Sequence, residues 1–324
     1  MSNVTITIIG AGAIGTSLGL ALKRLDDAPH LIVHDKDPKH SGLAMKRKAF
    51  DKSEWNLINA CENADLIILA IPSSEINPTL EAIAPYVKND VIISDTAQSK
   101  QQIVEMAAEI LPDHAHFIGG NPIVAVTGRG PQAARVDLFQ DTLYCLTPGA
   151  SVAPGGVKLL EDMAALVGAT PFFLDPVEHD GLMSGVVGLP TLLSIALVHS
   201  VSQPTAWKET RKLAGGLFSQ VTSGAQGDAN SLTEEFFAAK ANTLRRLDEV
   251  MAALQTMKEM VQAEQEDDLN KLVEEALDTR DEWQRDFEKK RLNQLAPADK
   301  FEVEKPGFFK QLFGVRGPKI EKKK

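Results

Sequence analysis

VTITIIGAGAIG, residues 4–15, is the stretch that decides the fold of this chain. A β-branched run from Val4 to Ile9 leads into the spacing Gly-x-Gly-x-x-Gly, and a helical pattern follows from Thr16. An acidic residue, Asp35, stands about 20 residues further on, at the end of the next apolar run. Strand, glycine turn, helix and distant carboxylate together are typical of a dinucleotide-binding βαβ unit.

Each glycine of this turn has a physical role. Gly10 allows the tight turn, Gly12 lets the backbone approach a pyrophosphate, and Gly15 lets the helix pack closely on the strand. The helix N-terminus offers N–H groups and a positive dipole to the phosphates. Asp35 would accept hydrogen bonds from the adenosine ribose and repel a 2′-phosphate, so we expect NAD, with NADP favoured only by two nearby lysines.

Apolar runs alternate with helical stretches through the first half of the chain. The runs after the first are Leu31–Val33, Asp65–Ile71, Val91–Ser94, His116–Ile118 and Thr142–Leu146. Continuous apolar strands between helices indicate a parallel sheet covered on both faces. We therefore predict an α/β Rossmann-type doubly wound parallel sheet over residues 1–172.

The cofactor in such a sheet lies over the carboxyl ends of the strands. This rule extends the glycine turn to the residues that follow the later strands. The predicted cofactor contacts are Gly10, Gly12, Ala13, Ile14, Gly15, Asp35, Ile71, Pro72, Ser73 and Asp95.

Residues 173–295 are predicted to form an all-helical domain for substrate binding and dimerisation. From Thr233 to Leu292 the sequence is nearly free of Gly and Pro and carries an apolar stripe at helical spacing. So long a stripe is hard to bury within one small domain, which favours a homodimer over a monomer. Residues 296–324 are expected to be a flexible tail, whose cluster Phe308–Phe313 could dock on its own domain, a partner or a membrane surface.

Composition narrows the class of function. A formal net charge of −10 disfavours nonspecific nucleic-acid binding. The chain has only two cysteines and no recognisable signal peptide or membrane span, so we expect a cytoplasmic protein without disulfides, metal site or integral membrane segment. Its expected partner is a small-molecule carboxylate substrate.

Several separated motifs resemble the prephenate and arogenate dehydrogenase family. They are IIGAGAIGTSLGLALK (8–23), ADLIILAIPSSE (64–75), SDTAQSK (94–100), FIGGNPIVAVTGRGPQAARVDLF (117–139) and DPVEHDGLMSGVVGLP (175–190). The likeness extends from about Val4 to Leu292. It implies a Rossmann domain, a helical dimerisation domain, and oxidative decarboxylation of prephenate or arogenate with hydride transfer to NAD(P), a step of tyrosine biosynthesis.

The resemblance also exposes replaced functional positions. The family histidine that polarises or deprotonates the substrate hydroxyl is Asn121 here, and the serine that assists the hydroxyl is Gln98, beside Ser99. A second family histidine is Thr191, and the arginine of a later segment aligns with Thr222. The resemblance therefore makes Asn121, Gln98, Ser99 and His179 the catalytic candidates, because His179 and Asp180 retain the family's His-Asp pair.

Replacement of the family arginine leaves the substrate carboxylate without an evident anchor. Arg129 is our candidate, since a guanidinium binds a carboxylate bidentately. The predicted substrate contacts are thus Arg129, Thr191 and Thr222.

Three functions remain open from the sequence. The first is an NAD-dependent dehydrogenase acting on prephenate or arogenate. The second is a dehydrogenase or reductase for a different small carboxylate. The third is a non-catalytic protein that senses or responds to NAD, because a shared fold does not by itself determine activity.

Overall fold

The computed structural model describes residues 4–149, 152, 154–203 and 207–295, with no side chains described for residues 289–295. The tail predicted at residues 296–324, including Phe308–Phe313, lies outside the described residues. The described chain contains one eight-stranded sheet of order β3-β2-β1-β4-β5-β6-β7-β8. Its strands are β1 Thr5–Ile9, β2 His30–His34, β3 Lys52–Ser53, β4 Leu66–Leu69, β5 Val91–Asp95, β6 Ala115–Pro122, β7 Leu143–Pro148 and β8 Thr170–Phe173.

Helices cover both faces of this sheet. They are α1 Ala13–Leu22, α2 Pro38–Lys46, α3 Leu57–Cys61, α4 Ser73–Ile83, α5 Gln101–Ile110 and α6 Pro154–Leu166. Every residue of the central strand β4 is buried, and two apolar clusters lie on opposite faces of the sheet around Ile68 and Ile67. A strand apolar on both faces requires helices on both sides, which confirms the predicted doubly wound architecture.

One strand pair departs from the predicted parallel arrangement. Strand β7 pairs antiparallel with β6, from Ile118 opposite Pro148 to Pro122 opposite Tyr144, and β8 is parallel to β7. Between β6 and β7 the chain forms only a 3-10 turn, Pro131–Ala133, and no α-helix. A parallel pair needs a crossover connection, usually helical, so the chain returns in the opposite direction.

The second half of the described chain is helical, as predicted. Its elements are α7 Pro176–Met183, a π-helical turn Ser184–Gly188, α8 Leu189–Ser202, α9 Trp207–Leu213, α10 Gly216–Val221, α11 Ala229–Ala238, α12 Lys240–Gln262 and α13 Glu266–Leu295. The stretch from Thr233 to Leu292 that is nearly free of Gly and Pro falls on three of these helices, α11, α12 and α13. One break falls at Glu264, whose φ of 53° lies in the left-handed region that a helix cannot continue through.

Much of the apolar stripe of α12 is exposed among the residues that the structure describes. Leu244, Met251, Leu254 and Val261 are all more than half exposed. Such a contiguous apolar surface indicates an interface.

Helix α7, the π-helical turn and α8 form one continuous segment, Pro176–Ser202, with a mean hydropathy of 1.9. By length and composition it could cross a membrane, but this is weak evidence because the core helix of a helical domain passes the same test.

Candidate functional site

Two positions of the glycine loop, residues 10–15, can be occupied only by glycine. Gly10 has a φ of +101°, and a Cβ atom there would lie 2.2 Å from the Ala70 carbonyl oxygen. A Cβ on Gly15 would lie 2.0 Å from the Gly10 carbonyl oxygen. Neither contact is possible between real atoms, so these glycines let α1 pack directly against β1 and β4.

Gly12 differs from its two neighbours. A Cβ atom built on it meets no atom within 4 Å, so the space above the loop is open. Gly12 is the N-cap of α1, and no side chain caps that helix end. The loop therefore has the open, N–H-bearing surface that a dinucleotide pyrophosphate requires, and the residues present fit that group.

Asp35 lies directly after β2, and the backbone holds its carboxylate in place. Its Oδ2 accepts a hydrogen bond from Ala11 N–H at 2.7 Å, and its Oδ1 accepts one from Asp37 N–H at 2.8 Å. The adjacent Lys36 is directed to α4, where its Nζ lies 2.9 Å from Glu75 Oε1. Asp35 thus borders the glycine loop while the neighbouring cation is already paired.

The turn after β4 lies beside the same loop. The Cγ2 atom of Ile71 is 2.9 Å from the position of a Cβ on Gly10, and α4 begins at Ser73 with Pro72 as its N-cap. The structure therefore brings the predicted residue Ile71 to the glycine loop, and Pro72 and Ser73 follow it directly in the chain.

Asp95 does not have the position expected of a cofactor contact. It is completely buried, and its oxygens accept hydrogen bonds from Gly120 N–H, Ala97 N–H and Lys100 Nζ. With no exposed surface, this carboxylate is not accessible to a cofactor in the structure. Asp95 instead holds the carboxyl ends of β5 and β6 together.

Lys100 is the buried partner of Asp95, and the sequence reasoning missed it. Its side chain is fully buried, and its Nζ also donates to the Gly120 carbonyl at 2.8 Å. Burial lowers the pKa of Lys100, and the Asp95 charge opposes that shift. This ion pair fixes the backbone that immediately precedes Asn121.

A second buried group connects the two halves of the chain. Asp180, on α7, accepts hydrogen bonds from the N–H groups of Lys100 and Gln101 at 2.7 and 3.0 Å, and so caps α5. The same carboxylate lies 2.9 Å from His179 Nδ1, and His179 Nε2 lies 3.1 Å from Asn121 Nδ2. Asp180 thus orients His179, which in turn contacts Asn121.

The donor and acceptor roles in the hydrogen-bonded series Asp180–His179–Asn121 follow from the carboxylate at its Asp180 end. The Asp180 carboxylate can only accept, so His179 carries its proton on Nδ1. In a neutral imidazole, His179 Nε2 then accepts a hydrogen bond from the side-chain nitrogen of Asn121, Nδ2. The side-chain oxygen of Asn121, Oδ1, has no partner among the described residues. Both side chains are buried: His179 is fully inaccessible, and Asn121 is 3 % exposed.

A pocket opens beside these groups at the junction of the sheet and the helices, and we call it the junction pocket. It is lined by Gln98, Ser99, Asp180, Met183, Ser184, Val187, Gly188, Thr191, Glu235, Phe236, Ala239 and Thr243. Three predicted residues, Gln98, Ser99 and Thr191, therefore meet there. Glu235 and Thr243 were not predicted, because no motif surrounds them in the sequence and only the packing of α11 and α12 brings them to this pocket.

Two predicted substrate contacts lie away from the junction pocket. Arg129 is exposed, and its charge helps to lower the pKa of Asp228, after hydrogen bonds from Ser231 to that carboxylate. Thr222, at the end of α10, donates its hydroxyl to the Phe218 carbonyl at 2.6 Å. Neither side chain lines the pocket, because the loop that carries Arg129 reaches the N-terminus of α11 and Thr222 is bonded within its own helix.

The fold and this site define a nicotinamide-dependent dehydrogenase with an N-terminal Rossmann domain. The chain belongs to the prephenate dehydrogenase family: the family's nucleotide-binding domain matches residues 18–171 and its dimerization domain matches residues 175–275. Its function is accordingly that of an NAD(P)-dependent dehydrogenase of the prephenate and arogenate dehydrogenase type.

Individual relatives agree with this assignment. The chain is 30 % identical to the prephenate dehydrogenase of Lactococcus lactis over 75 % of its own length and 67 % of that protein. It is 27 % identical to the prephenate dehydrogenase of Bacillus subtilis over 86 % of its length and 75 % of that protein. Among solved structures, Synechocystis arogenate dehydrogenase superposes with a TM-score of 0.75 at 25 % identity, covering 86 % of this chain and all of that one.

Proposed function

We propose that this protein oxidises prephenate or arogenate with NAD in the junction pocket. The observation that carries the proposal is the position of Asn121 at the carboxyl end of β6, hydrogen-bonded to the His179–Asp180 pair and next to the residues that line the pocket. Residues 1–172 would bind the cofactor, and residues 173–295 would complete the pocket and form the dimer. The cytoplasmic location remains a prediction.

The reaction does not require a strong base at the hydroxyl. NAD, when bound, accepts a hydride from the ring carbon that bears the hydroxyl. The ring carboxylate leaves as CO₂, and its electron pair completes the aromatic ring. The product is a phenol that retains the hydroxyl proton, so the group beside this hydroxyl needs only to polarise it.

Asn121 is suited to that limited task. With its Nδ2 donating to His179, its carbonyl oxygen is left to accept a hydrogen bond from the substrate hydroxyl. His179 and Asp180 act as positioning residues, because they fix the orientation of the amide. Gln98 and Ser99 line the pocket and would provide further polar contacts to the substrate.

NAD is the proposed cofactor rather than NADP. The Asp35 carboxylate stands beside the glycine loop, where it favours a ribose diol and repels a phosphate. The ion pair between Lys36 and Glu75 removes the nearest sequence neighbour that could bind a 2′-phosphate.

The proposed assembly is a homodimer. Its support is the exposed apolar stripe of α12 together with the match of residues 175–275 to a dimerization domain. The apolar segment Pro176–Ser202 belongs to the same matched region, and a dimer would cover it without a membrane.

The test is NADH formation by the purified full chain with NAD and either prephenate or arogenate. Asn121→Ala should lower kcat by about tenfold or more, since removing one transition-state hydrogen bond has effects of that order. Asn63→Ala, an exposed amide in the turn before β4, is the control and should leave kcat unchanged. NAD binding without turnover of either compound would refute the proposal in favour of another carboxylate substrate or a non-catalytic role.

A further inference from the structure

The junction pocket has an unusual charge for a site that accepts a carboxylate. Among the described residues that line it, the ionisable side chains are Asp180 and Glu235, and there is no lysine, arginine or histidine. Prephenate and arogenate each carry two carboxylates, and these would meet no cationic side chain among the described residues that line the pocket. Electrostatic complementarity with the two acidic side chains therefore favours a substrate that also carries a positive charge.

The two acidic side chains are not equivalent. Asp180 is almost fully buried and is occupied by two backbone N–H groups and by His179. Glu235 is partly buried, and within the described residues its carboxylate has no hydrogen bond and no ion pair. Burial raises the pKa of Glu235, and the adjacent Glu234 adds to that shift. Glu235 is thus the acidic group of the pocket that lacks a partner.

The basic residues around the pocket do not supply that partner. Arg246 lies one turn beyond Thr243 on α12, but its Nη1 is 2.8 Å from Glu249 Oε2 and its Nη2 is 3.3 Å from the Gly181 carbonyl. Arg129 is exposed, and its charge interacts with Asp228, whose pKa it helps to lower. A partly buried carboxylate without a counter-charge is costly unless a ligand provides one.

We propose that Glu235 binds a cationic amine of the substrate, so that this enzyme takes the amino acid arogenate in preference to the keto acid prephenate. The two molecules differ at one carbon, which carries an ammonium group in arogenate and a carbonyl in prephenate. An ammonium donates charge-assisted hydrogen bonds to a carboxylate, whereas a carbonyl cannot. This inference rests on the function proposed above and assigns its substrate class.

The first experiment compares kcat/KM for arogenate and prephenate in wild type, Glu235→Gln and Glu234→Gln. The wild type should favour arogenate. Glu235→Gln should lower the arogenate-to-prephenate ratio by about tenfold, chiefly through KM for arogenate, because one charge-assisted hydrogen bond has an effect of that order. Glu234→Gln is the matched control, since Glu234 does not line the pocket, and it should retain the wild-type ratio.

The second experiment measures binding without turnover. Calorimetry on the NAD-saturated protein compares L-tyrosine with 3-(4-hydroxyphenyl)propionate, which lacks the amine. Tyrosine should bind about tenfold more tightly to wild type and to Glu234→Gln, and equally with the propionate to Glu235→Gln.

The outcomes distinguish this inference from the proposed function. Preference for prephenate, or an unchanged ratio in Glu235→Gln, overturns the role of Glu235 and leaves the dehydrogenase function intact. Failure of both substrates and both ligands overturns the proposed function and, with it, this inference. A retained melting temperature in Glu235→Gln verifies that the variant is folded in every comparison.

Discussion

The glycine loop and the junction pocket differ in how tightly the fold restricts their residues. In the loop, Gly10 and Gly15 are fixed by direct contact with the backbone, so any side chain there disrupts the packing of α1. Beside the pocket, hydrogen bonds from Lys100 to the Gly120 carbonyl and to Asp180 fix the backbone. Gln98, Thr191 and Glu235 line the cavity. The packing of the glycine loop can hardly change at Gly10 and Gly15 without disrupting the fold, whereas the substrate site can change its chemistry on an unchanged scaffold.

The largest expected effect is on the free energy of unfolding, when the buried ion pair between Lys100 and Asp95 is broken. Lys100→Met leaves Asp95 buried without its counter-charge, and breaking a buried ion pair in this way costs about 3–5 kcal/mol of unfolding free energy. Urea unfolding followed by circular dichroism measures the loss. Lys158→Met removes a half-exposed pair on α6 and should change the unfolding free energy little. Equal midpoints for the two variants would show that the pocket walls do not depend on Lys100.

The second prediction separates folding from cofactor binding within the glycine loop. Gly12→Ala should fold normally, because its Cβ meets no protein atom, but should weaken NAD binding by roughly a hundredfold by occupying the space of the pyrophosphate. Calorimetric titration with NAD measures the affinity, and a thermal melt checks the fold. Gly42→Ala, on α2, also meets no atom and should leave both quantities close to wild type. Full NAD affinity in Gly12→Ala would place the pyrophosphate elsewhere.

The same difference explains what the sequence predicts well. Strands β1, β2, β4 and β5 are continuous apolar runs, and burial on both faces gives a parallel sheet directly. The antiparallel direction of β7 does not follow from the strand's own composition, because it depends on the absence of a crossover helix between β6 and β7. The short strands β3 and β8 were missed, since β3 has two exposed residues and β8 begins with the exposed Thr170.

For the site, local motifs were informative and distant packing was not. Gln98, Ser99 and Thr191 were found because each lies in a recognisable segment, and all three line the junction pocket. Glu235 lies on a helix with no motif, and only tertiary packing brings it to the same pocket as Gln98. Asp95 was assigned to the cofactor from its place after a strand, although burial with Lys100 gives it a structural role.

The third prediction asks whether the missing base can be restored. Asn121→His should raise kcat by about tenfold, a fraction of what a well-placed general base contributes, because imidazole can take the hydroxyl proton transiently. Since the imidazole must be neutral to accept a proton, the rate should rise with pH through about 6.5. The pH profile of kcat from pH 5 to 9 measures this effect. Asn121→Gln retains an amide and should lack this rise, and the same rise in wild type would mean that a base already exists elsewhere.

The last and smallest effect concerns cofactor choice at the edge of the glycine loop. Glu75→Gln removes the partner of Lys36, whose ammonium can then reach a 2′-phosphate, and should improve kcat/KM for NADP several-fold at low salt. The gain is small because Lys36 is largely exposed and Asp35 still repels the phosphate. The measurement is the NADP-to-NAD ratio of kcat/KM, with Glu81→Gln on the same helix as control. A ratio that stays at its wild-type value in Glu75→Gln would mean that Asp35 alone sets the preference, and that this part of the loop is as tightly determined as its glycines.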